Sequence, residues 1–345
     1  MAGSHSSRWR PDRTRARAAV SRTAATLRNG ARRVWHAPLP ATAVGMALVL
    51  CAVIALGASR SSNGRPPAVE VTASETPTPT PTTSPTPTRT PSTPEPVDDP
   101  KLALLQTQVD SIQSRYGVRI GLGVAGVAPV GQRYTATWTA GSLTSGPAWG
   151  TLDVPIAVAI LDLDSLPSNL TYMLTKSISE SSLSSDEALY TFLGNTETAS
   201  KAVDRVFQEY GDPVTTVATS TSRQGIPAFT QTDWTVASQS EFAGQLWCSS
   251  SDWYIISRMQ HVDDEHSYGF GNVVSSYIKT SEGTTEDGSV VLRQMAIIPT
   301  SNGNRVGVSL VVTARAGQAD TAREAADAVA GQVYFTAHGF GAGRC

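Results

Sequence analysis

Three groups of polar residues along this chain carry the side chains that acyl transfer needs. The reaction uses a hydroxyl as nucleophile and a carboxylate or neutral amine as base. The residues are Thr151, Asp153, Ser185, Asp186, Glu187, Lys279, Thr280 and Ser281. Ser-Asp and Lys-Thr pairs are common in proteins, so the prediction depends on the elements that would bring the three groups together.

The first group opens a helix that is apolar on every side. The sequence AWGTLDVPIAVA covers residues 148–159, and a helix without a polar face must be buried inside a domain. Thr151 is predicted to cap this helix, and Asp153 lies in its first turn, where the positive end of the helix dipole favours a carboxylate. Trp149 and Gly150 are expected at its mouth.

The elements around this helix follow from apolar periodicity within residues 101–345. A helix is predicted up to Tyr116, with Gly117 ending it, and the region of about 152–259 is mostly helical by pattern. The predicted strands are 118–124, 134–140, 291–297 and 306–312. The last helix presents an apolar face made of Ala322, Ala325, Ala326, Val329, Ala330 and Val333.

This order of elements predicts an α+β fold, an αβα sandwich. Strands from both chain ends would form one antiparallel sheet. The first and last helices would pack on one face of that sheet, with the inserted helices opposite or alongside.

Within this layout the chain resembles the superfamily of serine β-lactamases and penicillin-binding DD-peptidases. The family's three motifs look like Trp-Ser-Thr-x-Lys-Val-Pro at a buried helix, Ser-Asp-Asn on the loop entering another helix, and Lys-Thr-Gly on an inner strand. The corresponding residues here are Gly150 and Asp153 in the first motif, Ser185, Asp186 and Glu187 in the second, and Lys279, Thr280 and Ser281 in the third.

The resemblance implies a degenerate, pseudoenzyme-like member. Gly150 offers no nucleophile, and Asp153 adds negative charge where a carboxylate substrate would bind. Thr151 is displaced by about 100° around the helix from the serine position, so we do not expect it to replace the serine. Lys279 then needs another anion, and Asp153 or Glu187 is the expected partner because an unpaired buried ammonium is costly.

The predicted function is that of a binding or regulatory module of the cell envelope without a working catalytic centre. Peptidoglycan or another envelope protein would be its partner. Two alternatives stay open: an active serine hydrolase that acts on peptidoglycan or β-lactams through noncanonical residues, and a structural wall or partner-docking domain.

The first hundred residues predict a membrane tether. Residues 1–40 carry nine arginines and are expected to be a basic cytoplasmic tail, and residues 41–58 have no charge and are long enough for a transmembrane helix. A cleaved signal peptide is the competing interpretation. Residues 59–100 are rich in Pro, Thr and Ser and predict a disordered linker. The domain at 101–345 would then be extracellular.

The cysteines predict one disulfide. Cys51 would lie in the membrane segment, which leaves Cys248 and the terminal Cys345 as a pair in an oxidising compartment. Their bridge would fasten a glycine-rich tail to the helical region.

Other chemistries are less well supported. Residues 101–345 carry 15 Lys and Arg against 23 Asp and Glu, and a domain this acidic argues against nucleic acid. His261 and His266 are five residues apart, which fits no established metal spacing, so neither a metal nor a cofactor is predicted. The tryptophans at positions 138, 149, 234, 247 and 253 are expected in the core or lining a groove, rather than forming a dedicated sugar platform.

Overall fold

A five-stranded antiparallel sheet organises the part of the chain that the structure describes. The computed structural model describes residues 99–163, 165–221, 223–300, 303–336, 340 and 343–345. The predicted basic tail, membrane segment and nearly all of the linker lie outside these residues. Among the helices that are described, none is long and apolar enough to cross a membrane.

The described residues of the domain form eight helices and seven strands. The helices are α1 (Pro100–Tyr116), α2 (Asp153–Leu161), α3 (Ser168–Glu180), α4 (Leu183–Phe192), α5 (Thr196–Glu209), α6 (Val236–Cys248), α7 (Trp253–Met259) and α8 (Ala319–Thr336). The strands are β1 (Arg119–Gly126), β2 (Trp138–Gly141), β3 (Ser145–Pro147), β4 (Asp233–Thr235), β5 (Tyr277–Thr284), β6 (Val290–Pro299) and β7 (Arg305–Ala314). Short 3₁₀ turns connect several of them, including Trp149–Leu152 directly before α2.

The large sheet joins both ends of the chain, as the sequence predicted. Its strand order is β2-β1-β7-β6-β5, and β3 pairs with β4 in a separate two-stranded sheet. Ile120 of β1 lies opposite Val312 of β7, and Val312 also lies opposite Leu292 of β6, all in antiparallel register. The predicted α+β class is therefore confirmed.

One face of the large sheet is covered by α1 and α8. Leu105 and Val109 of α1 share a core with Val329 of α8 and with the alternate residues of β1 and β7. All six residues predicted for the apolar face of α8 are buried. The first and last helices thus pack together on one side of the sheet.

Helix α6 packs on the opposite face at very short range. A Cβ atom added at Gly123 of β1 would lie 2.1 Å from the Val236 carbonyl oxygen, and one at Gly307 of β7 would lie 2.2 Å from the Ser240 carbonyl oxygen. These two glycines let the helix backbone rest directly on the sheet.

Helix α2 forms the centre of the helical half. Its residues from Asp153 to Ile160 are all buried, as the apolar sequence predicted. The prediction that Thr151 caps this helix is wrong. The capping residue is Leu152 and makes no side-chain bond, while the Thr151 hydroxyl donates to the Ala148 carbonyl oxygen at 2.5 Å.

The second predicted strand is shorter than expected, because β2 begins only at Trp138. The preceding residues are held by side-chain bonds instead of a strand ladder. Arg133 and Thr137 both bind the Glu241 carboxylate of α6.

The predicted disulfide is present. Cys248 at the end of α6 is bonded to Cys345, with the two Cα atoms 5.0 Å apart. Gly343 also pairs with Val127 through an isolated parallel bridge. The disulfide fastens the end of the chain to α6, and the bridge fastens it to the residue that follows β1.

Candidate functional site

A cavity of about 400 Å³ opens where the turn before α2, the start of α4 and the end of β5 meet. Apolar side chains form much of its wall: Trp149, Leu183, Ile226, Pro227, Val290 and Ala319. Its polar side chains are Ser181, Asp186, Arg223, Thr230, Ser281, Glu282 and Thr284. Residues from all three predicted motif regions therefore border one cavity.

Trp149 is held in an unusual backbone conformation at this cavity. Its φ angle is +46°, in the left-handed region that a residue with a large side chain rarely adopts. The indole lies flat against the backbone of Gly283, where an added Cβ atom would come within 2.4 Å of the ring. The close contact with β5 fixes the turn that leads into α2.

A side chain at position 150 would press against two polar side chains. Its backbone N–H donates to the Ser281 hydroxyl at 2.9 Å. A Cβ atom on Gly150 would lie 2.9 Å from Ser281 Oγ and 3.2 Å from Asp153 Oδ2. The Ser281 hydroxyl thus occupies the space at the mouth of α2 and takes up the Gly150 donor.

The Lys279 ammonium is fully surrounded by protein acceptors. It lies 2.9 Å from Asp153 Oδ2, and it donates to the Ser177 carbonyl oxygen at 2.6 Å and to Ser181 Oγ at 2.8 Å. Neither Lys279 nor Asp153 is exposed to solvent. The ammonium therefore has two hydrogen-bond acceptors and one carboxyl group around it, all from the protein.

Asp153 and Asp186 behave as a pair. Burial and the adjacent Asp186 carboxylate raise the pKa of Asp153 well above its usual value, although Lys279 opposes the shift. Burial also raises the pKa of Asp186, against the effects of Lys279 and of hydrogen bonds from Ser177 and Asp153. The two carboxyl groups and the single Lys279 ammonium therefore form one coupled cluster of buried charges.

The residues predicted for the second motif lie within a helix and not on the loop before it. Ser185, Asp186 and Glu187 lie inside α4, and Glu187 is exposed and does not border the cavity. The residue on the loop entering α4 is Ser181, whose hydroxyl contacts Lys279 and donates to the Thr280 carbonyl oxygen at 3.2 Å. The sequence Ser181-Ser182-Leu183 lacks the Asp and Asn of the motif. The end of the apolar periodicity of α3 was the sequence signal that could have placed Ser181 on this loop.

Expected partners of Lys279 were Asp153 or Glu187, and the structure selects Asp153. Thr280 is buried and accepts from the Gln294 amide at 2.9 Å. Thr151 also accepts a bond, from the Gln239 amide at 2.8 Å, and does not border the cavity.

The sequence did not single out Arg293, a fully buried cation behind the cavity. Its guanidinium donates to Gln239 Oε1 at 2.9 Å and to the carbonyl oxygens of Gly146 and Trp234 at 3.2 and 2.8 Å. Burial lowers the pKa of Arg293 to about 9. This network ties β6 to the two-stranded sheet and to α6. An arginine within the apolar alternation of residues 291–297 was the signal for it.

Other residues considered for chemistry lie elsewhere. His261 is exposed and its Nδ1 lies 2.9 Å from the Ser257 carbonyl oxygen. Across the described residues, no group of three or more His, Cys, Asp or Glu side chains is arranged to hold a metal ion. Trp138 and Trp234 are buried in the core, as expected, whereas Trp253 is 49% exposed.

Comparisons with known proteins identify the fold. A scan against protein-family models and a search of curated proteins found no match. Among solved structures, the TLA-1 extended-spectrum β-lactamase aligns with a TM-score of 0.55 and 13% identity, over 69% of this chain and 99% of that chain. A β-lactamase from Chitinophaga pinensis DSM 2588 aligns with a TM-score of 0.54 and 12% identity, over 68% and 99% of the two chains. The domain therefore has the β-lactamase-like fold that its motif order predicted.

Proposed function

We propose that this protein is a membrane-tethered binding or regulatory module of the cell envelope, whose β-lactamase-like domain has no working serine chemistry. The observation that carries the proposal is that the Lys279 ammonium is buried and contacts only protein groups. It is bonded to Asp153, Ser177 and Ser181, so it is not available to hold a substrate carboxylate.

The mouth of α2 supports the same conclusion. A serine nucleophile at position 150 would need a Cβ atom where Ser281 Oγ and Asp153 Oδ2 already lie within 3.2 Å. A carboxyl group at position 153 also replaces the amine that could serve as a base. The nucleophile, the base and the lysine that would hold a substrate carboxylate are therefore all changed or occupied in this protein, at Gly150, Asp153 and Lys279.

The proposed location follows from the sequence before the domain. The uncharged segment at 41–58, preceded by nine arginines, would anchor the chain with its N-terminus in the cytoplasm. The proline-rich segment would hold the domain away from the membrane, where peptidoglycan or another envelope protein would be its partner.

A second candidate function is hydrolysis through another serine. Ser181 and Ser281 both border the cavity. Each hydroxyl is already bonded, Ser181 to Lys279 and Ser281 to the Gly150 N–H, and the Lys279 amine beside Ser181 is itself paired with Asp153. We therefore rank this candidate second.

Turnover of a chromogenic cephalosporin by the full-length protein tests the proposal. We expect a rate equal to that of the buffer. Hydrolysis above the buffer rate that disappears in Ser181→Ala or Ser281→Ala would establish the second candidate instead. Hydrolysis that persists in both variants would trace to a contaminating enzyme, which a repurified sample would remove.

A further inference from the structure

Arg223 brings a positive charge to the cavity wall without an opposite charge bonded to it. Its Nη1 atom donates to the carbonyl and hydroxyl oxygens of Thr284, at the end of β5, and both acceptors are uncharged. Among the described residues, no carboxylate forms an ion pair with this guanidinium. The Nε and Nη2 atoms have no acceptor there either, and this edge of a guanidinium offers the two parallel donors that bind a carboxylate.

Two carboxyl groups of the cavity wall already have a cation of the protein beside them. Glu282 receives two bonds from Arg323, at 2.6 and 2.9 Å. Asp186 is 4% exposed, and the buried Lys279 ammonium opposes its charge. Arg223 is therefore the charge of the wall that is left without a counter-ion within the part of the chain that the structure describes.

A further acid near this arginine is exposed to water. Glu286 borders a smaller adjoining cavity together with Arg223, but the two side chains form no ion pair. Glu286 is exposed, and solvent screens exposed charges efficiently. It weakens the attraction of Arg223 for an anion without cancelling it.

The free cation lies far from the buried one. Arg223 binds Thr284, which is five residues along β5 from Lys279, or about 16 Å at roughly 3.3 Å per residue. An anion held by Arg223 would therefore lie at the opposite end of the strand from the motif lysine.

The wall between these two ends suits an apolar body. Trp149, Ile226 and Val290 all border the space, whose volume of about 400 Å³ lies in the range of small-molecule sites, roughly 300–1,000 Å³. Such a wall binds through burial of apolar surface, while a few polar groups fix the orientation of the ligand.

We infer that this cavity binds a monocarboxylate with an apolar body, with the carboxylate on Arg223 and the body against Trp149 and Ile226. One guanidinium balances the single negative charge of such a ligand. This inference rests on the proposed function, because it takes the cavity to be a binding site and names the chemistry of its ligand.

Three matched probes test the inference with the full-length protein. Calorimetric titrations would compare naphthylacetate, naphthylmethanol and naphthylmethylammonium, which share one apolar body. We expect the carboxylate to bind at least about tenfold more tightly than the ammonium, with the alcohol between them, since hydrogen bonds between ionised groups are the stronger ones.

Two arginine variants assign the preference to one residue. Arg223→Gln should bring the carboxylate and the ammonium to within about threefold of each other. Arg205→Gln, an exposed arginine of α5 outside the cavity, should keep the wild-type preference. A thermal melt would show that each variant is folded.

A third variant tests the location without changing a charge. Ala319 borders the cavity at the start of α8 and is partly exposed, so Ala319→Trp adds a large side chain to the wall. We expect this variant to lose binding of naphthylacetate, and it decides the location if Arg223→Gln does not fold.

Equal or tighter binding of the ammonium by the wild type would overturn the inference, as would failure of naphthylacetate to bind up to its solubility limit. A preference that survives in folded Arg223→Gln, or unchanged binding in folded Ala319→Trp, would also overturn it. None of these results depends on whether the protein hydrolyses a cephalosporin, so this inference and the proposed function can fail separately.

Discussion

Lys279 and Asp153 form an ion pair of 2.9 Å in which neither side chain reaches solvent. The pair lies between β5 and the first turn of α2, and Asp186 adds a second carboxyl group beside it. Because an isolated charge in the interior costs several kcal/mol, removal of any one of these charged groups should destabilise the folded state.

Removing the cation should therefore destabilise the domain. Lys279→Met keeps most of the aliphatic volume but leaves the buried carboxyl groups without their counter-charge. We expect the free energy of unfolding at neutral pH to fall by about 3 kcal/mol, measured by chemical denaturation. Lys201→Met, in the exposed pair with Glu197, should change nothing measurable. A loss no larger than that of Lys201→Met would contradict a structural role for the buried pair.

The raised pKa of Asp153 predicts a pH dependence of stability. A carboxyl group whose pKa is higher in the folded state contributes most at low pH, and the contribution is lost as pH rises from the unfolded value, near 3.8, through the folded value. Asp153→Asn cannot ionise. Its free energy of unfolding relative to wild type should therefore increase as the pH rises above about 4.

Asp287 supplies the opposite control for that measurement. Hydrogen bonds from Thr285 and Ser289 lower its pKa, so Asp287→Asn should lose relative stability, if anything, over the same pH range. Parallel curves for wild type and Asp153→Asn would show that Asp153 has an ordinary pKa.

A side chain at position 150 should be poorly tolerated. In Gly150→Ala the new Cβ atom would lie 2.9 Å from Ser281 Oγ and 3.2 Å from Asp153 Oδ2. Ser281 can turn away only by losing its bond to the Gly150 N–H. We expect a loss of about 1–3 kcal/mol by denaturation, partly restored in the double variant with Ser281→Gly.

Gly331 gives the matched control, because a Cβ atom there meets nothing within 4 Å and the residue lies inside α8. Gly331→Ala should stabilise the domain by up to about 1 kcal/mol. If Gly150→Ala were equally stabilising, the mouth of α2 would have room for a side chain.

The sequence predicted the large elements well, for physical reasons. Strands β6 and β7 and the face of α8 are defined by apolar residues at periods of 2 and 3.6, which survive without any knowledge of tertiary contacts. The Lys279–Asp153 pair was predictable because a buried ammonium requires an anion.

Other features depend on contacts that no local pattern encodes. Ser181 reaches Lys279 because α3 ends with this residue in a left-handed conformation, with φ at +50°. The Arg293 network depends on carbonyl groups from three distant segments. Neither could be read from a short motif.

The disulfide between Cys248 and Cys345 should contribute measurably to stability. It closes a loop of 97 residues, for which chain-entropy estimates give about 4–5 kcal/mol before any strain. Cys345→Ser should lower the free energy of unfolding by up to this amount, measured by chemical denaturation. Non-reducing peptide mapping should recover the two cysteine peptides joined, and two alkylatable thiols at these positions would show that the tail is not fastened.

The most direct test of the central claim is intact mass spectrometry of the full-length protein after incubation with a reactive penicillin. Because Gly150 has no hydroxyl and Lys279 is bonded to Asp153, we predict an unchanged mass. A stoichiometric penicilloyl adduct, mapped by proteolysis to the segment from Trp149 to Asp153, would contradict the account.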